Sequence, residues 1–179
     1  SLFECFAENI AHHDVLLPIL MDSPPQQFAH LRLHNGTIWR WIRPLIGFDP
    51  DGTPHLRIEQ RVLPAGPTIA DMIANAALFF GLARFLMNMR EAPEADFSFD
   101  HARNNFYSAA RDGLHAKLVW LDGSTVEARV LLLEEILPMA RQGLETLFID
   151  KADIDHNLGI LESRIRSGQT GSSWQRAYC

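Results

Sequence analysis

Hydrophobic and polar positions recur with two different periods along the chain, which predicts where helices and strands lie. A helical period covers residues 2–21, 98–112, 126–147 and 153–166, and a nearly continuous apolar run covers residues 68–89. Strand patterns cover residues 30–36, 37–48 and 55–62, and the turn sequence DPDGT separates the last two. Residues 115–123 are typical of a short strand with a turn, whereas the tail, residues 167–179, has no periodicity and is predicted to be a loop.

The order of these elements indicates the fold class. Two strands joined by a tight turn favour an antiparallel hairpin, and the helices do not alternate with strands as they do in a parallel α/β fold. We therefore predict an α+β fold, mainly helical, with a small antiparallel sheet. Because the sequence has no internal repeat and no long linker, a single domain over residues 1–179 is expected.

The apolar run begins with clear helix-start signals. Pro67 suits the first positions of a helix, and Thr68 with Asp71 forms the pattern of a capping box. The apolar residues nearly encircle the helix axis, so we expect this helix to be deeply packed. Asp71, Asn75, Arg84 and Asn88 interrupt the run and disfavour a membrane span.

Composition and charge restrict the classes of partner. The net charge of −6 argues against a general nucleic-acid binder and gives no reason to expect an anionic membrane partner. The two cysteines, Cys5 and Cys179, provide neither a disulfide framework nor a zinc pattern. A reducing, cytoplasmic location is therefore expected.

The candidate chemistry lies on the predicted hairpin. Arg57, Glu59 and Arg61 occupy every second position of one strand and therefore point the same way, and Arg43 of the neighbouring strand can join them. Arginine binds carboxylate and phosphate groups, and a carboxylate among arginines stays ionised and can hold Mg²⁺. On spacing alone, the favoured alternative is a solvated face whose cross-strand ion pairs each contribute about 0.2–1 kcal/mol.

Other polar clusters give weaker indications. His12 and His13 point about 100° apart on a helix, and His30 and His34 would lie about 13 Å apart on a strand, so neither pair is predicted to share a metal ion. Cys5 is interpreted as a small buried apolar residue. The segment LEEIL at 133–137 is interpreted as a helix face, and LFFGLARFLM at 78–87 as core rather than a cofactor-binding segment.

Four segments, in order, resemble the glutamate–cysteine ligase family of carboxylate–amine ligases, which are relatives of glutamine synthetase. They are TIWRWIRP (37–44), HLRIEQRVLPAGPT (55–68), NNFYSAARDGLHAKL (104–118) and SGQTGSSWQ (167–175). A Glu-x-Arg motif alone is weak, but the ordered set is specific and extends over roughly residues 30–178.

The resemblance implies a glutamine-synthetase-like half domain and ATP-dependent formation of a γ-glutamyl amide through an acyl phosphate, with Mg²⁺ as the metal. In such a ligase, Glu59 would bind the metal and act in catalysis together with Arg61. The binding roles implied for the other residues are phosphate contacts for Arg57 and Arg61, a substrate carboxylate contact for Arg43, a pocket wall for Trp39, and a further binding contact for Arg111.

The chain begins at Ser1 rather than at a methionine, and the other metal carboxylates of the family would lie upstream. We therefore expect the C-terminal part of a longer ligase-like protein, with ATP and an amino acid as partners and no amide synthesis by this chain alone. Self-association is also expected, through the predicted strand at 30–34 and a first helix that carries Phe3, Phe6 and Ile10. The alternative is a non-catalytic ligase-derived domain that binds a nucleotide, an amino acid or a protein.

Overall fold

A computed structural model describes residues 2–63, 66–95 and 97–178. The chain divides into two compact units, Ser1–Pro64 and Ala65–Cys179. Helices predominate, and the described residues form two antiparallel sheets of two strands each. The predicted α+β, mainly helical fold is therefore confirmed, whereas a single domain over the whole chain stays a prediction.

The first unit consists of two helices and a hairpin. Its elements are α1 (Leu2–His12), a 3₁₀ turn (Pro25–Gln27), α2 (Ala29–Thr37), β1 (Ile42–Phe48) and β2 (Pro54–Gln60). The two strands are antiparallel, with Arg43 opposite Glu59 and Gly47 opposite His55. Gly52 supplies the positive φ of 86° that the turn requires. The predicted hairpin is therefore confirmed, although its first strand begins at Ile42 rather than at residue 37.

Two predictions in this unit are wrong. The first helix ends at His12 instead of continuing to residue 21, and residues 30–36 belong to helix α2 instead of a strand. An alternating pattern of only five residues does not discriminate well between strand and helix. Here, the side chain of Asn35 is buried within α2, where it donates to the Pro44 carbonyl oxygen and accepts from the Asn9 amide. These tertiary contacts stabilise the helical conformation despite the local alternation.

The second unit contains six helices among its described residues. Its elements are α3 (Ile69–Met87), a 3₁₀ turn (Pro93–Ala95), α4 (Phe99–Asp112), a 3₁₀ turn (Gly113–His115), β3 (Lys117–Val119), β4 (Thr125–Glu127), α5 (Ala128–Leu131), a π-helical turn (Leu132–Ile136), α6 (Leu137–Thr146), α7 (Lys151–Ser167) and α8 (Gly171–Tyr178). The helices predicted at 98–112 and 153–166 and the short strand after residue 115 are confirmed. The helix predicted at 126–147 begins at Ala128 and contains the π turn.

The prediction of a loop for the tail is wrong, because α8 covers Gly171–Tyr178. The helix begins after Thr170, whose hydroxyl oxygen accepts a hydrogen bond from the Ser173 backbone N–H at 3.2 Å. This is the N-cap interaction that threonine favours. The signals in the sequence were therefore this cap and the helical spacing of Trp174 and Tyr178, whose rings stack.

The core of the second unit lies where α3, α6 and α7 pack together. Its buried side chains are small or aliphatic: Ala74, Leu137, Ala140, Leu144, Ile154, Leu158, Leu161 and Ile165. Helices α3 and α6 cross at Gly81 and Gly143, where a Cβ on either glycine would overlap the backbone of the other helix. The absence of side chains at this crossing allows the two backbones to approach closely.

Helix α3 shows both a confirmed and a wrong prediction. Its capping box is present, since the Thr68 hydroxyl accepts from the Asp71 N–H at 3.2 Å. Deep packing on all sides is wrong: Ile69 and Met87 are 74% and 80% exposed, and Ile73 and Phe80 are also exposed. The polar residues Asp71 and Asn75 on another side bind Arg164 of α7. By length and composition, α3 is the one helix in the described ranges that could cross a membrane.

The surface that we predicted to mediate self-association is only partly exposed in the structure. Phe3 and Ile10 of α1 are exposed, but Phe6 is buried, and the segment 30–34 is helical rather than an open strand edge. An unpaired strand is therefore not available at residues 30–34. Homo-oligomerisation itself stays a prediction.

Candidate functional site

Three of the predicted site residues meet at the open end of the hairpin. Arg43 and Glu59 are directly opposite each other, and the Arg43 Nε lies 2.5 Å from the Glu59 Oε2. Arg61 follows β2 and contacts both carboxylate oxygens, with its Nε 2.9 Å from Oε2 and its Nη2 3.0 Å from Oε1. The convergence predicted from strand parity is thus observed, and it takes the form of one carboxylate held between two guanidinium groups.

Arg43 also joins the hairpin to helix α2. Its side chain is buried, and its Nη1 donates to the carbonyl oxygens of Asn35 and Ile38 at 3.0 and 3.1 Å. These oxygens lie at the C-terminal end of α2, where carbonyl groups lack helical partners and a cation is favoured. In this arrangement, Nε and Nη1 of Arg43 are bound to groups of the protein rather than directed at a ligand.

The surroundings of Glu59 keep it ionised. The hydrogen bond from Arg61 is the main reason that the pKa of Glu59 is held below its ordinary value, and Arg43 acts in the same direction, while partial burial opposes both. Both carboxylate oxygens accept from guanidinium groups. The described part of the chain contains no group of three His, Cys, Asp or Glu side chains placed to hold a metal ion.

We expect this carboxylate to contribute to stability in a pH-dependent way. Its folded-state pKa is lowered, so its contribution is complete above the unfolded-state pKa and is lost as pH falls through the folded value. As the pH falls from about 5 to about 3, the free energy of unfolding should therefore decrease less for Glu59→Gln than for the wild type. Urea titrations at several pH values would measure the difference, with Glu91→Gln as the control for an exposed carboxylate. Parallel curves for wild type and Glu59→Gln would contradict this role.

Arg57 differs from the other two arginines. It lies opposite Leu45, two positions from Glu59 on the same side of β2, and it is exposed. Within the described ranges, no hydrogen bond or ion pair involves its guanidinium. Arg57 is thus the arginine of the hairpin best placed to receive an anionic ligand.

Trp39 and Trp41 add an aromatic pair beside the hairpin end. Their rings meet edge to face with centroids 4.5 Å apart, and both are about half exposed. They precede β1, but the Arg61 N–H donates to the Trp41 carbonyl oxygen at 2.8 Å and so continues the ladder beyond the strand. The ring of Trp39, the predicted pocket wall, therefore contacts the ring of Trp41. Trp41 is in turn bonded to Arg61, which contacts Glu59.

Arg111 belongs to the second unit, in the last turn of α4. Its guanidinium is largely exposed and binds the adjacent Asp112 carboxylate in a bidentate way, at 2.9–3.2 Å. The hydrogen bonds to Asp112 raise the pKa of Arg111. Its binding role stays a prediction.

Sequence analysis missed the polar contacts beneath the hairpin. The buried Asn9 and Asn35 amides bond to each other at 3.0 Å, and Arg40 donates to Asn9 and to Glu8. The available signal was Asn9, a polar residue one turn after Phe6 on the apolar side of α1. Asn35 instead matched the Asn-Gly turn pattern, so its position in a helix and its bonds to Asn9 and Pro44 were not predicted.

Comparisons with protein-family models, curated proteins and solved structures gave no match. The resemblance to carboxylate–amine ligases therefore stays a prediction from the four sequence segments.

Proposed function

We propose that the chain forms part of the nucleotide- and substrate-binding surface of an ATP-dependent carboxylate–amine ligase. The observation that carries this proposal is the hairpin, where Glu59 is fixed between Arg43 and Arg61 while the Arg57 guanidinium has no hydrogen bond or ion pair among the described residues. Guanidinium groups bind phosphate oxygens bidentately, and the antiparallel ladder brings three of them to one face. The same proposal places the protein in the cytoplasm, with ATP and an amino acid as its small-molecule partners.

The chemistry proceeds in two transfers. A γ-carboxylate oxygen of glutamate attacks the terminal phosphorus of ATP, and ADP leaves. The amine nitrogen then attacks the acyl carbon, loses a proton, and expels inorganic phosphate. Arginines stabilise the charge that accumulates on the phosphoryl oxygens during the first transfer. In this scheme Arg57 receives the phosphates, and Arg61 exchanges part of its contact with Glu59 for a phosphate oxygen.

Glu59 is the residue that would hold Mg²⁺. This ion is usually bound by one or two carboxylates together with substrate phosphates and water, so a single protein carboxylate suits a nucleotide-bound ion. When bound, Mg²⁺ would neutralise charge on the phosphates. Three guanidinium contacts occupy most of the roughly four lone-pair sites of the Glu59 carboxylate, so it would ligate a metal ion through the remaining site of Oε1 or after one arginine contact loosens.

The engagement of both Glu59 oxygens favours a second candidate function, a ligase-derived domain that binds an anion without turnover. In that case Glu59 orders the two arginines, and the hairpin binds a nucleotide or an amino acid through the remaining guanidinium. The two functions differ in one measurable property, which is the dependence of nucleotide binding on Mg²⁺ and on Glu59.

Isothermal titration of the purified chain with ATP tests the proposal. Arg57→Ala should weaken binding by roughly ten- to a hundredfold, which is the usual effect of losing a charge-assisted hydrogen bond. Arg103→Ala is the matched control, since Arg103 is an exposed arginine whose ion pair lies within α4. Binding that is tightened by Mg²⁺ and weakened by Glu59→Gln supports the ligase proposal, whereas binding that is indifferent to both supports the non-catalytic function. The absence of ATP binding would overturn the ligase proposal and leave only amino-acid binding for the second function, whereas equal binding by wild type and Arg57→Ala would overturn both.

A further inference from the structure

The side chains of His55 and Arg57 converge above a glycine near the turn of the hairpin. Gly47 lies opposite His55 in the ladder. A Cβ at Gly47 would lie 2.5 Å from the His55 Nε2 and 2.8 Å from the Arg57 Nε. The His55 Nε2 and the Arg57 Nε, from neighbouring positions on one face of β2, therefore occupy the space beside Gly47. Any other residue at position 47 would place its side chain there.

Asp49 contacts the imidazole of His55 on the side away from Gly47. The His55 Nδ1 lies 3.1 Å from the Asp49 Oδ1, so the carboxylate and the Nε2 are on opposite sides of the ring. The Nδ1 atom is buried, and the direction of the Asp49 contact is not that of a hydrogen bond. In the tautomer that carries its proton on Nε2, the imidazole presents a hydrogen-bond donor beside the Arg57 guanidinium.

We propose that His55 and Arg57 form a phosphate subsite over Gly47, in which the His55 Nε2–H and the Arg57 guanidinium donate to the same anionic oxygen group. The inference rests on the proposed function, because it assigns the phosphate contact of the same hairpin face to a particular pair of residues. It adds His55 as a phosphate ligand, Asp49 as the residue that positions it, and Gly47 as the position that must lack a side chain.

Charged groups flank the proposed subsite. Asp49 follows β1 and contacts the Nδ1 edge of His55, and Arg57 lies two positions from His55 on the same strand. An anion bound over Gly47 would accept a hydrogen bond from the His55 Nε2 and from the Arg57 guanidinium, and it would offset the charge of Arg57.

Gly47→Ala gives the sharpest test, since it removes no charge. The new methyl group meets the ends of two flexible side chains rather than backbone, so the hairpin should fold with His55 and Arg57 displaced. We expect affinity for inorganic tripolyphosphate to fall about tenfold or more in Gly47→Ala, His55→Ala and Arg57→Gln. Gly36→Ala is the control, because a Cβ at this helical glycine of the same unit would meet nothing within 4 Å. Circular dichroism and unfolding curves establish that each variant is folded.

Sulfate tests the same pair with a ligand whose charge is constant near neutral pH. Its affinity should fall in His55→Ala and in Arg57→Gln, and it should be unchanged in Gly36→Ala. Wild-type-like binding of tripolyphosphate by folded Gly47→Ala and His55→Ala overturns the inference, and if Arg57 still controls ATP binding the proposed function stands. Conversely, His55-dependent tripolyphosphate binding with ATP binding that ignores Mg²⁺ and Glu59 supports the subsite and overturns the ligase proposal.

Discussion

Arg43→Ala should lower the free energy of unfolding of the first unit by roughly 3–5 kcal/mol, the usual effect of removing one partner of a buried charged pair. The buried guanidinium contacts the Glu59 carboxylate and the carbonyl oxygens of Asn35 and Ile38. Alanine would remove the arginine donor from both carbonyls, at the end of α2, in a place that water reaches poorly. Urea unfolding followed by tryptophan fluorescence would measure the change, since Trp39 and Trp41 lie in this unit.

Two further variants make the Arg43 experiment specific. Arg43→Lys keeps the charge but loses the planar fork that reaches the carboxylate and the carbonyls together, so we expect an intermediate loss. Arg103→Ala removes an exposed arginine with an ion pair to Asp100 within one helix, and its effect should be below about 1 kcal/mol. A loss under about 1 kcal/mol in Arg43→Ala would show that this contact does not hold α2 on the hairpin.

The part of the site that sequence predicts well is the part governed by strand parity. Alternation places Arg57, Glu59 and Arg61 on one side of a strand, and the turn after Phe48 determines which residues stand opposite. Arg43 then lies opposite Glu59 because the hairpin has no shift between its strands. The alternation of side chains and the pairing across the turn both depend on residues that are close in sequence. The convergence of Arg43, Glu59 and Arg61 therefore follows from local sequence information.

The function of Arg43 within the fold depends on distant residues and was not predictable in this way. Its guanidinium reaches the end of α2. The alternating sequence at 30–34 led to the prediction of a strand where this helix lies. The conformation of α2 depends on Asn35, which bonds to Pro44 and to Asn9 in another helix. A single sequence does not show which polar residues will pair across such separations, so both the helix and its arginine contact became visible only in the structure.

Helix α3 shows a related difficulty on a larger scale. Its composition predicts a helix correctly, and Thr68 and Asp71 predict where it begins. Apolar residues all around a helix predict burial, but this holds only if other elements cover every side. Here α6 and α7 cover the side that carries Ala74 and Gly81, and Ile69, Ile73 and Phe80 stay exposed. Periodicity therefore predicts the helix and its start, while the packing on each side depends on the remaining elements.

The crossing of α3 and α6 is the most constrained contact in the second unit. A Cβ on Gly143 would overlap the carbonyl oxygen of Gly81, and a Cβ on Gly81 would overlap the carbonyl oxygen of Ala140. The atoms in conflict are backbone atoms of packed helices, so no side-chain rotation relieves the overlap. The helices would have to separate, which would open the core around Ala74, Ala140 and Leu144.

Gly143→Ala should therefore destabilise the second unit by about 3 kcal/mol or more, at or above the upper end of the range for overpacked cores. Without the crossing, the same change within a helix would stabilise it by roughly 0.5–1 kcal/mol. Gly159→Ala is the matched control, because Gly159 lies inside α7 and a Cβ there would meet nothing within 4 Å. Thermal and urea unfolding followed by circular dichroism should show opposite signs for the two variants. If both variants stabilise the chain, the close approach of α3 and α6 does not exist in solution.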